Sequence, residues 1–158
     1  MTASKSEVYR ELAAQLAALL AGETDRIANA ANMAALIYHG LPDLNWAGFY
    51  FRQDSELVLG PFQGKPACVR IPLGKGVCGT AALRGAAVLV PDVHEFPGHI
   101  ACDPGSRSEL VVPLIEAGEV SGVLDLDSPL VGRFDELDQA GCERLVALFV
   151  GHHHGYPK

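Results

Sequence analysis

At residue 45 the apolar spacing of this chain changes from a helical period to a period of two, and that switch limits the folds open to it. Upstream, Val8, Leu12, Leu16 and Leu19 recur at helical spacing over residues 6–21. A second helix is predicted after Thr24, with Ile27, Ala30, Met33 or Ala34, and Ile37 on one face, ended by Gly40 and Pro42. Both helices are Ala-rich, which suits close packing against a partner surface. Downstream, Trp46 to Phe51 and Leu57 to Phe62 read as a hairpin about the polar turn Gln53-Asp54-Ser55. A short strand near Cys68 to Ile71 follows, then a short helix over 76–84 entered through Gly74 and Gly76, then a strand from Val88 to Val90. Residues 91–108, with Pro91, Pro97, Gly98, Pro104 and Gly105, form a long loop of the kind that carries function. Leu110 to Ile115 and Val120 to Leu126 make a second hairpin about Ala117-Gly118, and a last helix starts near Asp135, a capping residue, and runs to about Val150. Sequential hairpins demand a mainly antiparallel sheet, and helices on either side of it give an α+β layered domain. The reading is one domain over 1–158: helices in 5–39, sheet and loops in 45–128, and a helix over 135–150.

The 158 residues suffice for a real core, and the net charge of −7 argues against a nucleic-acid partner, which needs a basic face. The N-terminus lacks the apolar run of an export signal, and Asp, Glu, Arg or Pro interrupts every candidate membrane span. The expectation is a cytoplasmic protein with no membrane partner. In that reducing compartment cysteines are rarely structural disulfides.

Three of the four cysteines nevertheless fall between residues 68 and 102, each in a Gly/Pro-rich frame. This grouping points to redox chemistry, one thiol attacking and another resolving. Cys102 lies in the long loop, where His94 or His99 as imidazolium, or backbone N–H groups, would favour a thiolate; Asp103 would oppose it if turned inward. Cys78 stands at the start of the short helix, where the dipole also favours an anion. Cys68 stands at a strand start. Cys142 shares a helical stripe with Leu145, Val146 and Phe149 and reads as core. No Cys-x2-Cys pair supports a zinc motif, and the run His152-His153-His154 is assigned no role.

In Val123-Leu124-Asp125-Leu126-Asp127, alternation puts both Asp side chains on one face, about 7 Å apart at Cα, with Leu124 and Leu126 facing the core. Glu109 opens the partnered strand and can point the same way. Carboxylates that converge raise one another's pKa values, so at least one would hold a proton near neutrality; the plainer alternative is a solvated outer face. Trp46, Gly48 and Tyr50 share a face of the first strand. They form either an aromatic slot for a small apolar group or simple core packing.

These residues together resemble a known family. Trp46-x3-Tyr50, Gly60 to Cys68, Gly76-Val77-Cys78-Gly79-Thr80-Ala81, Pro91 to His94, Pro97 to Asp103, Ser108 to Pro113 and Gly122 to Pro129 are similar to the motifs of the free methionine-(R)-sulfoxide reductases, which are GAF-domain enzymes. The resemblance spans nearly all of the chain beyond residue 40. It implies a six-stranded antiparallel sheet flanked by helices, a homodimer, free L-methionine (R)-S-oxide as substrate, thioredoxin as reductant, and no metal or organic cofactor. It implies Cys102 as nucleophile, Cys68 as the usual resolving cysteine and Cys78 as a third cysteine in recycling, so the choice of resolving partner between Cys68 and Cys78 stays open. It implies Trp46 and Tyr50 as pocket aromatics, and Glu109, Asp125 and Asp127 as the acidic binding and catalytic group. The competing readings are a non-catalytic GAF small-ligand sensor and a thiol-based peroxide reductase or redox sensor.

Overall fold

The computed structural model describes residues 3–100 and 102–152. Ser4 caps α1 (Lys5–Leu20) by accepting from the Glu7 backbone N–H, and Asp25 caps α2 (Arg26–Gly40) through the Ala28 N–H. The buried face of α1 is Tyr9, Leu12, Ala13, Leu16 and Leu20, while Leu19 is 44% exposed. At about 100° per residue these five side chains span one quadrant, and Val8 and Leu19 fall on its flank. The expected stripe was therefore rotated by a fraction of a turn. The same holds for α2, where Arg26 turns inward and Ile27 stays exposed. The buried Arg26 guanidinium pairs with Glu116 and lies 4.5 Å above the Phe51 ring.

The strands are β1 (Trp46–Gln53), β2 (Glu56–Gly64), β3 (Arg70–Pro72), β4 (Val88–Val90), β5 (Ser108–Glu116) and β6 (Glu119–Ser128). They form one six-stranded sheet in the order β3-β2-β1-β6-β5-β4, and every pairing is antiparallel. The α+β antiparallel expectation holds. Both hairpins turn as read: Asp54 and Ala117-Gly118 take positive φ, the twist that tight hairpins require. The third strand begins at Arg70, leaving Cys68 in the loop before it. The short helix α3 (Gly76–Arg84) and strand β4 fall where the sequence put them, and the long loop carries a single 3-10 turn at Val93–Glu95.

Alternation along the strands divides the apolar residues into two clusters. On one face Ala47, Phe49, Leu124 and Leu126 pack against α1, α2 and α4 (Glu136–Val150). Cys142 sits wholly buried there, as expected, and burial pushes its thiol up to about 12. A buried polar knot ties α1 to α4. Asp138 accepts from Tyr9 Oη at 2.8 Å, from Lys5 and from Arg133, and completes a capping box with Asp135. On the other face Trp46, Tyr50, Val111 and Val123 pack beneath α3 and the loops around it. Among the described residues no helix is long and apolar enough to cross a membrane.

Candidate active site

The site lies on the second face, where β1, β6 and β5 run side by side. Asp127 faces Trp46 across one strand pairing and Glu109 across the other; Asp125 faces Gly48 and Val111. Because side chains alternate, Trp46, Tyr50, Glu109, Asp125 and Asp127 all project toward α3. Glu109 and Asp125 are buried and Asp127 is half-buried, so the acidic pair is not a solvated outer face.

This density of buried acid has direct electrostatic consequences. Burial first, then the Asp125 and Asp127 charges, push the Glu109 carboxyl well above its usual range. Burial and the Asp125 charge do the same to Asp127. Asp125 is raised by burial too, and the adjoining Glu109 and Cys78 side chains pull it part of the way back. The three carboxyls therefore titrate as one group that retains protons above the usual carboxylate range.

The Cys78 thiol lies in the first turn of α3, with Sγ 3.9 Å from Glu109 Oε2. The helix dipole was expected to favour a thiolate here. Instead burial, then the three carboxylates, push this thiol well above its ordinary range. A dipole worth at most about 2 kcal/mol loses to desolvation beside acidic groups.

Cys68 and Cys102 are joined by a disulfide across 34 residues of chain, with Cα atoms 5.5 Å apart. Cys78 and Cys142 are the free thiols. Tyr50, which lies at the back of the pocket, donates its Oη–H to the Cys68 carbonyl at 2.8 Å. The imidazoles divide. His94 is exposed and bonds Asp92. His99 points inward, its Nε2 3.9 Å from Glu109 Oε1, and burial lowers its pKa, so the ring is held toward the neutral form. The imidazolium expected beside Cys102 is thus disfavoured at His99, and His94 is taken up by Asp92.

Gly48 does not leave a slot. Phe62 crosses over it and stacks on Trp46 with centroids 5.2 Å apart, so the open side of the aromatic wall is the one formed by Trp46 and Tyr50, stacked at 5.9 Å. A partly open pocket beside the disulfide is lined by Trp46, Tyr50, Cys78, Cys102, Glu109 and Asp125.

Two residues escaped the sequence reading. Asn45 Nδ2 donates to Asp103 Oδ2 at 3.2 Å and to Ser106 Oγ at 3.1 Å, tying the Cys102 loop to the start of β1. This turns Asp103 into the turn it closes. Lys75, just before α3, lines the cavity mouth. Asn45 had no local signal, since its partners lie about 60 residues away; Lys75 was findable as the residue that opens a Gly-rich helix start. Of the C-terminal histidine run, which was assigned no role, His152 bonds the Leu148 carbonyl, and His153 and His154 lie outside the described residues.

The GAF domain family matches residues 7–151. The chain belongs to the GAF-domain family. The free methionine-R-sulfoxide reductase of Escherichia coli (strain K12) is 54% identical over 91% of this chain and 87% of its own. The enzyme of the same name from Saccharomyces cerevisiae is 44% identical over 92% and 85%. The X-ray structure of free methionine-R-sulfoxide reductase from Neisseria meningitidis, in complex with its substrate, superposes with a TM-score of 0.93 at 44% identity, covering 97% and 92%. Within the GAF domains, the chain is a member of the free methionine-R-sulfoxide reductases, an oxidoreductase family.

Proposed function

We propose that the protein reduces free L-methionine (R)-S-oxide to L-methionine, with Cys102 as nucleophile, Cys68 as resolving thiol and thioredoxin as final reductant in the cytoplasm. The observation that carries this reading is a disulfide set against a buried acid cluster and an aromatic wall. A sulfoxide becomes electrophilic at sulfur when its oxygen is protonated, and Glu109 or Asp127 holds the proton for that step. Asp125 pairs with the substrate ammonium. Lys75 and the first-turn N–H groups of α3 face the substrate carboxylate. The methyl group lies against Trp46 and Tyr50. Methyl, oxygen and ammonium fixed together select one epimer and a free amino acid.

The Cys102 thiolate attacks sulfur; the oxygen passes to Cys102 as sulfenic acid and methionine leaves with its thioether restored. Cys68 then condenses with the sulfenic acid, water departs, and the disulfide remains. Two electrons and two protons from a thioredoxin dithiol regenerate both thiols. The bonded form described here corresponds to the state before that last step. With Cys102 bonded to Cys68 its sulfur is not free to attack, so reduction has to precede the next turnover. Cys78 keeps its proton and supports the Glu109 and Asp125 carboxyls. The homodimer contact is assigned to the outer faces of α1, α2 and α4, where Leu19, Ile27 and Leu137 are exposed.

Incubation with racemic methionine sulfoxide and dithiothreitol tests the activity. Half should be consumed, leaving the S epimer. Binding without turnover would favour a sensor, and turnover of peroxide alone would favour a peroxidase. Cys102→Ser should abolish turnover with either reductant, while Cys68→Ser should still release about one methionine per chain.

A further inference from the structure

We propose that Cys78, Glu109 and Asp125 form a site for a thiophilic divalent cation, Zn²⁺ in particular, and that the ion blocks the substrate pocket. One ligand atom from each of the three residues lies within 4.8 Å of the other two. They come from α3, β5 and β6, elements fixed by the sheet and its covering helix rather than by loops. All three side chains are more than nine-tenths buried.

A second observation points to a ligand. Asp125 Oδ1 is buried without a hydrogen-bond partner in the protein. A buried carboxylate oxygen left in that condition is costly, and a cation would satisfy it.

The geometry fits zinc better than a hard cation. With Zn–S near 2.3 Å and Zn–O near 2.1 Å, tetrahedral donors stand about 3.4 to 3.6 Å apart. Cys78 Sγ and Glu109 Oε2 are 3.9 Å apart, so contraction by a few tenths of an ångström brings that pair into place. Thiolate with two carboxylates leaves the fourth position open toward the cavity. Mg²⁺ prefers six oxygen donors and keeps several waters, and a thiolate selects against it. No Cys-x2-Cys motif is involved, because two of the donors are carboxylates on neighbouring strands, a pairing that leaves no local spacing to read.

The binding half of this inference stands by itself. The inhibitory half rests on the reductase reading, because the ion would sit where the substrate ammonium and oxygen are assigned.

The oxidised protein isolates the site, since its disulfide leaves only Cys78 and the fully buried Cys142 as thiols. With His152, His153 and His154 changed to Ala to remove tail binding, CoCl2 should bind one ion per chain and give a thiolate-to-cobalt charge-transfer band. ZnCl2 should displace the cobalt. Cys78→Ala should remove the band and Asp125→Asn should weaken binding about 10- to 100-fold, whereas Cys142→Ala should leave both unchanged. Circular dichroism and melting temperature establish that each variant is folded, and Cys78→Ser serves if the alanine variant is not. No band, or a band that persists without the Cys78 sulfur, overturns the site. Steady-state assays of the reduced protein with a phosphine reductant then address inhibition. Zn²⁺ should raise KM for methionine sulfoxide with kcat unchanged. Binding without any effect on turnover would overturn the inhibitory half alone, and absence of turnover in metal-free protein would count against the reductase reading instead.

Discussion

Removing one oxygen atom, in Tyr50→Phe, separates the two cysteines' tasks. The Tyr50 ring is buried and stacked on Trp46, and phenylalanine preserves that packing. What it removes is the 2.8 Å hydrogen bond to the Cys68 carbonyl. In the oxidised protein the disulfide already holds Cys68 in place. Once reduced, the 65–69 segment is held to β1 by this bond and by the one that Trp46 Nε1–H donates to the Lys65 carbonyl at 3.1 Å, and the Tyr50 bond is the one at Cys68 itself. A hydrogen bond of this kind contributes about 1 kcal/mol net. If its loss frees the reduced segment, disulfide formation becomes less favourable by up to that amount, about fivefold in the equilibrium constant or about 20 mV in potential. The measurement equilibrates protein in mixtures of reduced and oxidised dithiothreitol, quenches with an alkylating agent and counts free thiols by mass. The variant should need a more oxidising mixture for half-formation of the disulfide, and its first methionine should appear within about twofold of the wild-type rate. An unmoved midpoint would refute the tethering argument. Loss of the first equivalent would show that the hydroxyl acts in the chemical step.

Glu109→Gln should become more stable relative to wild type as pH rises from about 5 to 8. The folded-state pKa of Glu109 is raised, so its contribution is intact below the ordinary carboxyl value and is lost as pH climbs toward the folded value. Urea midpoints of the two proteins that stay parallel across that range would contradict this. Asp138→Ala should destabilise by about 3–5 kcal/mol, because it strands the Tyr9 hydroxyl and the Arg133 guanidinium in buried surroundings, while the more exposed Lys5 adds little. Scanning calorimetry should show a fall of about 10 °C. Gly48→Ala would place a Cβ 2.8 Å from Phe62 Cα and 2.8 Å from Trp46 Cη2; overpacking of that kind costs about 1–3 kcal/mol, and displacement of Trp46 should raise KM more than it lowers kcat.

Much of the site was legible along single strands. Period-two alternation is a local property, so it placed Asp125 and Asp127 on one face and Leu124 and Leu126 on the other, as the two clusters bear out. Trp46 and Tyr50 followed by the same rule. The titration of Cys78 was not legible, because local position favoured an anion and only the neighbouring strands decide against it. The tie from Asn45 to Asp103 and Ser106 was hidden as well, because a side-chain hydrogen bond between distant segments leaves no periodic trace. The inward faces of α1 and α2 were read to within a fraction of a turn. Their Ala-rich surfaces present weak contrast, and the sheet beneath them chose Arg26 over Ile27.

The sequence by itself determined the order and kind of the elements, the hairpins, the faces of the strands and the family. Each follows from spacing, turn residues or motif. Only the tertiary structure decided that β1 pairs with β6, across more than 60 residues of intervening chain, and so set Trp46 opposite Asp127 and Gly48 opposite Asp125. Long-range pairing is selected by what the whole core can bury, not by any local segment. That pairing buries the acid cluster, and burial rather than composition raises the carboxyls of Glu109, Asp125 and Asp127 above their usual range.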